Sequence, residues 1–371
     1  SQDAVAGSRF IADWSDGPIK KALNFVSPLR QVLIVGHGTL SEMLVNAVDS
    51  EKKTQVRANF RTFQAKGSDA QITLLTLQSI RGYDIAFESM RHKIDQLGYT
   101  EEHDVSIMYD RLIADYQPYN PKTVVAISQD EMAFQAAHDI IKTYIEIARL
   151  NEPGILADAD SEFLHDYRVS LRKVRSVVSL FKGVYSDEQT QTLKQSFSDL
   201  MSPTGRLRDL DVYLLDREHY FVLLPESLHE GLSILFDLFE TERNTHLKKM
   251  RAHLKSPAYN KSINSLLSLF SGSDDLQPGT NADHSAYLYA RELIWKRYRK
   301  VCKIARAIDL TTADSEVHDL RIHCKKLRYL MEFFSPMFPA KKIKGLIRAL
   351  KLLQDNLGLF NDYLVQQDSL H

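Results

Sequence analysis

Two short segments of the chain carry basic side chains at the same spacing. They read HDYRVSLRKVRSVVSLF over residues 165–181 and HDLRIHCKKLRYLMEFF over residues 318–334. In each, a histidine is followed by cations three, seven and ten residues later. The two sets are His165, Arg168, Arg172 and Arg175, and His318, Arg321, Lys325 and Arg328. Steps of three and four residues place each set on one face of an α-helix. Each row is roughly 15 Å long at 1.5 Å per residue.

Such a row favours a long anionic ligand over a point-like anion. Like charges three and four residues apart repel one another unless an anion neutralises them. Arg offers a planar fork to phosphate oxygens, and Lys offers a compact charge. We therefore expect a linear polyanion with regularly spaced oxygens to bind both rows together.

The two segments belong to a longer internal repeat with an offset of 153 residues. The same offset carries Gly205 onto Gly358 and Asp209 onto Asp362, whereas Arg208 meets Asn361. Because the register persists for about 45 residues without net insertion, two homologous helical units are the simplest interpretation.

Charge is distributed unevenly along the chain. The formal net charge of the whole chain is −1. Residues 291–351 nevertheless hold 16 Lys and Arg against 6 Asp and Glu, a local charge of +10. Further basic helix faces in this stretch include Lys296, Lys300 and Lys303, which on their own are typical of solvated surface. The asymmetry indicates an anionic partner.

The elements that must position these rows are mostly helical. We predict an N-terminal α+β region over residues 1–122, with β-like runs between 31 and 80 that begin with QVLIVGHG and helices near 82–98 and 101–116. The two prolines of Gln117–Lys122 mark a linker. Beyond it we predict helices near 130–150, 160–182, 187–201, 206–217, 226–254, 284–308, 314–335 and 340–368.

Other chemistry is less favoured by the residues. The tripeptide Gly36–Gly38 lacks the Gly-Lys-Ser/Thr ending of a nucleotide loop and is interpreted as a turn. His165 and His318 have no second ligand four residues away, so a metal site would need the two repeats to converge. No serine stands in a Gly-x-Ser-x-Gly setting, and no carboxylate pair is distinguished. Cys302 and Cys324 have no Cys-x-x-Cys spacing and are expected to be free thiols.

Apolar runs are far shorter than the roughly 20 residues that span a bilayer, so we predict no membrane span. The first ten residues do not resemble a secretory signal. We expect a cytoplasmic protein, with polyphosphate granules as a place where it could associate.

The repeated segments resemble the CHAD family of helical domains, which are built from two four-helix repeats and associated with polyphosphate binding. The resemblance covers residues 128–371, with repeats at about 128–217 and 226–368, and includes LRDLDV at 207–212 and LQDNLGLFND at 353–362. It implies a ligand set of His165, Arg168, Arg172, Lys173, Arg175, His318, Arg321, Lys325, Lys326 and Arg328. It further implies supporting roles for Arg208, Asp209 and Asp362, the two carboxylates holding nearby Arg side chains.

The segment LLTLQSIRGYDIAFESM at 74–90 is similar, more weakly, to the closing strand and helix of CYTH domains, which bind or hydrolyse triphosphate. The Glu-x-Glu-x-Lys strand on which CYTH catalysis depends is missing from the sequence. The N-terminal region is therefore interpreted as a truncated or degenerate CYTH remnant.

These inferences predict a non-catalytic protein that binds inorganic polyphosphate and needs no cofactor. The alternatives are a nucleic-acid-binding or metal-binding helical module, or a protein that retains CYTH-type triphosphatase activity. Competition by single-stranded RNA and release of orthophosphate would discriminate among them.

Overall fold

The structure, a computed structural model, describes residues 9–99, 101, 102, 104, 107–113, 123–272, 275–309 and 311–369, with side chains described as far as residue 358. Contacts divide the chain into two compact units. The first comprises Ser1–Asn24 and Gln31–Tyr119, and the second comprises Phe25–Arg30 and Asn120–His371. The short segment Phe25–Arg30, which the sequence analysis assigned to the N-terminal region, therefore packs with the helical unit.

The N-terminal unit contains a three-stranded antiparallel sheet in the order β1-β2-β3. Its elements are α1 (Pro18–Ala22), β1 (Gly38–Val48), β2 (Thr54–Ala65), β3 (Gln71–Ser79), α2 (Asp84–Gln96) and α3 (Ile107–Leu112). Helix α2 packs against β2 and β3. The central strand supplies the buried side chains of the sheet, Val56 and Ala58.

The prediction of a strand over QVLIVGHG was wrong. The first strand begins at Gly38, and the apolar residues 32–35 are exposed. The register explains the difference, because Gly38 pairs with Ala65 and Val45 pairs with Ala58, which fixes the strand over the less apolar residues that follow. Gly38, predicted to lie in a turn, lies so close to the backbone of Gln64 that any side chain there would overlap it.

The regular structure described in the second unit consists of helices joined by loops. Its helices are α4 (Ala133–Ala157), α5 (Ser161–Leu180), α6 (Asp187–Met201), α7 (Gly205–Leu215), α8 (Arg217–Leu223), α9 (His229–Lys255), α10 (Pro257–Leu269), α11 (Ala286–Ala307), α12 (Asp314–Phe333) and α13 (Ala340–Ser369). The predicted mostly helical fold, preceded by a small antiparallel sheet, is confirmed. Helices α8 and α10 were not predicted.

Helices α4 and α5 form the first hairpin of this unit. Asp160 begins α5 because its carboxylate accepts hydrogen bonds from the backbone N–H groups of Glu162 and Phe163, at 3.0 and 3.2 Å. Gly154 lets the two helices approach closely, since an added Cβ would overlap the ring of Phe163. The hairpin therefore fixes the position of α5, which carries the first basic row.

The helix boundaries repeat at the offset seen in the sequence. Helices α4, α5 and α6 begin at residues 133, 161 and 187, and α11, α12 and α13 begin 153 residues later, at 286, 314 and 340. A difference lies after α6, where Pro203 opens a 3₁₀ turn that separates α6 from α7. Asn356 takes the place of that proline in the second copy, and α13 continues as one helix because its backbone keeps every N–H.

Counterpart residues of the two copies contact each other reciprocally. Ala133 N–H donates to the carbonyl of His284 at 2.8 Å, and Ala286 N–H donates to that of Glu131 at 2.7 Å. Phe181 and its counterpart Phe334 stack with ring centres 4.9 Å apart. Reciprocity of this kind is the signature of a twofold axis, so the two copies are related by an approximate twofold axis within one chain.

Candidate functional site

The two basic rows lie on α5 and α12, whose opposite sides are anchored in the core. Leu171 and Val174 of α5 are fully buried, as is Cys324, the counterpart of Leu171, in α12. Cys324 packs with Leu327 and Met331 in a cluster that α13 completes. Each helix is therefore fixed on its apolar side, and the side chains of its basic row are half-buried.

The rows meet at Lys325. The pKa of Lys325 is lowered to about 8, first by burial and then by the positive charges of Arg172, Arg321 and Arg328. Arg172 is the counterpart of Lys325 in the first copy, so the two lie close together near the twofold axis. Phe181 and Phe334 meet nine residues further on. Counterparts that meet at two levels imply that α5 and α12 run side by side in the same direction.

Arg168 joins this group from the first copy. Its pKa is lowered by burial and by the nearby Arg172 and Arg208 charges, and Asp209 partly offsets that effect. A guanidinium N–H of Arg168 also donates to the hydroxyl of Thr204, which in turn donates to the carbonyl of Met201 at 2.6 Å. The 3₁₀ turn opened by Pro203 thus positions Arg168 of the first row. The second copy has no equivalent hydroxyl, because Leu357 takes the place of Thr204.

We name the six cations Arg168, Arg172, Arg208, Arg321, Lys325 and Arg328 the central basic cluster. Two of its guanidinium Nε atoms, those of Arg172 and Arg321, are buried and have no hydrogen-bond partner. Buried polar atoms are almost always paired. Arg321 also reaches over Gly358 of α13, where a Cβ would lie 4.0 Å from its guanidinium. The cluster therefore presents donors that the described part of the protein does not satisfy.

His165 lies beside the cluster in its neutral form. Its pKa is lowered to about 4 by burial first and then by the charge of Arg208, with Arg172 and Arg30 acting in the same direction and Asp166 opposing them. At neutral pH the ring is therefore uncharged. A neutral imidazole can donate one N–H to an anion but adds no charge to the cluster.

Several residues of the ligand set expected from the resemblance point elsewhere. The ammonium of Lys173 donates to the hydroxyl of Tyr144 at 3.1 Å and lies 4.5 Å from its ring centre. Arg175 contacts the sulfur of Met201 at 3.6 Å. Lys326 lies near His323 on the side facing α11, since its charge helps to lower the pKa of that histidine.

The remaining expected residues are placed less centrally. Arg328 belongs to the cluster, yet it also donates to Glu332 at 2.7 Å and to Gln354 at 2.9 Å. His318 is half-buried on α12. Asp209 is exposed and close enough to act on Arg168. The side chain of Asp362 lies outside the described residues.

Two groups at the site were not predicted. Arg30, from the segment that precedes β1, forms ion pairs with Asp160 and Asp166 at the start of α5 and lies 5.1 Å from the ring centre of Phe163. Its sequence neighbourhood carries no basic pattern, so spacing alone could not have identified it.

The second unpredicted group is a network behind Arg208. Arg243 of α9 forms two hydrogen bonds with Asp158, at 2.6 and 3.0 Å, and one with Asp211 at 2.7 Å. Burial raises the pKa of Asp211, which the Arg243 contact opposes. Of the two carboxylates in LRDLDV, Asp211 is therefore the one that is buried and paired.

Metal-binding clusters and membrane-spanning helices are two other features that the sequence analysis considered. Within the described ranges, no group of three or more His, Cys, Asp or Glu residues is arranged so that it could hold a metal ion. Among the helices that the structure describes, none combines the length and apolarity needed to cross a bilayer.

A family model and a solved structure agree with this architecture. The family model of the CHAD domain matches residues 139–371. The crystal structure of the CHAD domain from the plant Ricinus communis is similar with a TM-score of 0.55 and 25% sequence identity, covering 66% of this chain and 80% of that one. PptA from Streptomyces chartreusis gives a TM-score of 0.46 at 13% identity over 60% and 81% of the two chains. No curated protein sequence matches the chain.

The family match spans more than half of the chain, from within α4 to its last residue, and includes both basic rows and the helices that carry them. The chain therefore belongs to the CHAD domain family.

Proposed function

We propose that this protein binds inorganic polyphosphate, without converting it, on the central basic cluster. The CHAD domain is associated with polyphosphate binding, and the chemistry of the cluster fits such a ligand. The observation that carries the proposal is the pair of buried, unpartnered Nε atoms of Arg172 and Arg321, two residues whose charges both act on Lys325. A chain of phosphates supplies oxygens to both, whereas water alone leaves the repulsion between the cations in place.

The geometry accounts for a preference for long chains. The two rows run side by side for about ten residues, or roughly 15 Å. A single phosphate could neutralise one or two cations, but a linear polyanion contacts the whole length at once, and each further contact adds to an already bound chain. Affinity should therefore rise with chain length and fall with salt.

The test is calorimetric titration of the full chain with long-chain polyphosphate, tripolyphosphate and single-stranded RNA at two salt concentrations. The variant Arg172→Glu with Lys325→Glu should weaken long-chain binding at least about a hundredfold, at about 1.5 kcal/mol or more for each lost charged hydrogen bond. The new carboxylate at position 325 lies near Arg321 and Arg328, and the one at position 172 lies near Arg168, so ion pairs with these cations offset the repulsion between the two carboxylates. Circular dichroism checks that the fold is retained.

The matched control is Lys248→Glu with Lys249→Glu, which reverses two adjacent exposed charges on α9. It should leave affinity within about twofold because exposed charges beyond a Debye length of the ligand are screened. Equal losses in both variants would refute the assignment to the cluster. A loss of RNA affinity in the Arg172→Glu, Lys325→Glu variant as large as its loss of polyphosphate affinity would refute a dedicated polyphosphate site.

The non-catalytic part of the proposal has its own measurement. Incubation of the full chain with tripolyphosphate and magnesium or manganese should release no orthophosphate above the blank. Sustained release would instead support the CYTH-type triphosphatase alternative. We place the protein in the cytoplasm, at polyphosphate granules, where a fluorescent fusion should follow the polyphosphate stain and the Arg172→Glu, Lys325→Glu variant should not.

A further inference from the structure

The outer face of α11 carries a pair of exposed aromatic rings. Trp295 is 60% exposed and Tyr298 is 47% exposed. Their ring centres lie 5.6 Å apart with planes inclined by 29°, which is a stacked arrangement. Two large stacked rings in contact with water are costly unless something covers them, and such surfaces commonly mark a binding site.

Cations surround these rings on the same face. A shallow groove of about 810 Å³ is lined by Trp295 and Tyr298 together with five basic residues, Lys296, Arg299, Lys300, Lys303 and Arg306. No carboxylate lines this groove within the described residues. We name this surface the α11 face. It combines flat apolar rings with an excess of positive charge over about three turns of one helix.

The first copy shows that the exposure is a property of this helix and not of the repeat. Tyr298 has Ile145 of α4 as its counterpart, and Ile145 is 0% exposed. Helices α9 and α10 pack on α4. The corresponding face of α11 instead carries aromatic rings at the surface with cations around them, which indicates a different occupant.

The combination selects the chemistry of that occupant. Together with the rings, the cations favour a polyanion, and the stacked rings favour flat, unpaired ring systems that can lie against them. Polyphosphate meets the first requirement and lacks rings. A base-paired duplex meets the first but keeps its bases stacked on one another. We propose that the α11 face binds single-stranded nucleic acid, with bases stacking on Trp295 and Tyr298 and phosphates contacting the surrounding Lys and Arg residues.

The chain offers a direct probe of this contact, because its two tryptophans are Trp14 and Trp295. In the full chain with Trp14→Phe, fluorescence reports on Trp295 alone. Titration with an oligothymidylate of about 12 nucleotides, within the range that one single-strand-binding surface covers, should quench this signal saturably. Long-chain polyphosphate at the same phosphate concentration should leave it unchanged.

Substitution separates the rings from the charges. Trp295→Ala should weaken oligonucleotide binding, measured by anisotropy of a labelled strand, at least about fivefold, since one stacked base contributes about 1–3 kcal/mol. Its affinity for polyphosphate should stay within about twofold. The control Tyr99→Ala removes another exposed aromatic ring, in the N-terminal unit, and should change neither affinity.

Three results would overturn the proposal. Equal quenching by polyphosphate would make the α11 face an extension of the polyphosphate site. Displacement of the oligonucleotide by vesicles of anionic lipid, with a blue shift of Trp295 fluorescence, would make it a membrane-surface contact. An unquenched signal would show that no base stacks there. The Arg172→Glu, Lys325→Glu variant should retain the quenching, so the two sites succeed or fail separately.

Discussion

The first helix of each copy, α4 or α11, begins at the same position of the repeat, but the two helices differ in how many of their residues are buried. Thirteen of the 25 residues of α4 are buried, against four of the 22 residues of α11. Part of the difference comes from α9 and α10, which follow the first copy and pack on α4, and part comes from the closer packing of α4 on α5 at Gly154. The repeat therefore determines the order of the helices, whereas the additional helices α9 and α10 help to determine which helix faces stay exposed to a partner.

The same helices give the first copy a buried ion network that the second lacks. Arg243 of α9 joins Asp158 and Asp211. The counterparts of these two carboxylates are Thr311 and Leu364, neither of which can pair with a guanidinium through a negative charge. The first copy thus depends on α9 for charge compensation.

The largest effect should follow from Arg243→Ala. This change leaves Asp211, which is 3% exposed, without its cation, and breaking a buried pair costs about 3–5 kcal/mol. Urea denaturation should show this loss in the free energy of unfolding. The control Arg206→Ala breaks a pair with Glu242 that has similar geometry but is largely exposed, and should cost less than about 1 kcal/mol. Similar losses in both would contradict the role assigned to burial.

The next largest effect concerns Pro203 and its counterpart Asn356, the position at which α6 ends in the first copy and α13 continues in the second. Asn356→Pro should cost about 3 kcal/mol, because the ring removes a helical N–H and clashes with the preceding turn of α13. The reverse change, Pro203→Asn, leaves the exposed 3₁₀ turn able to form and should cost less than about 1 kcal/mol. Urea denaturation and helicity by circular dichroism measure both. Equal costs would mean that Pro203 does not determine where α6 ends.

The smallest effect is on the pH dependence of polyphosphate affinity. It tests whether Arg172 and Lys325 lie close together. The pKa of Lys325 falls from its ordinary 10.5 to about 8. Bound polyphosphate favours the protonated amine, so binding takes up a proton and affinity should fall as pH rises through 8, by at most about tenfold per pH unit. Calorimetry at about pH 7 and about pH 9 measures this.

Lys325→Arg is the control, since Arg remains protonated and the pH dependence should disappear. In the unliganded protein the sign is opposite. The unfolded lysine binds a proton more tightly than the folded one, so the stability penalty is fully present below about pH 8 and is relieved as pH rises toward 10.5. A wild-type affinity that does not change over this range would contradict the position given to Lys325.

Much of the helical unit could be predicted because apolar periodicity and the 153-residue repeat both report on local packing. The missed helix α10 had signals, with Ser256 accepting from the N–H of Tyr259 and Pro257 at the first turn, but its apolar stripe is short. The wrong strand over residues 31–38 arose because apolar content does not specify a hydrogen-bonding partner.

The candidate site was predictable only along each helix. Spacing placed the cations on one face, but it could not show that Arg172 and Lys325 meet near a twofold axis. Nor could it show that Lys173 turns toward Tyr144 or that Arg30 reaches Asp160 from 130 residues away in sequence. These contacts depend on the tertiary arrangement of the helices, about which the spacing of residues along one helix carries no information.

The approximate twofold axis makes the two directions in which a linear ligand can cross it nearly equivalent. A linear polyphosphate reads the same from either end, so a chain crossing the axis offers equal groups to both copies whichever end enters first. A strand with chemically distinct ends has no such equivalence. The sequence departs from this symmetry where Lys325 is the counterpart of Arg172, so a chain bound as we propose would meet a different cation in each half at that level.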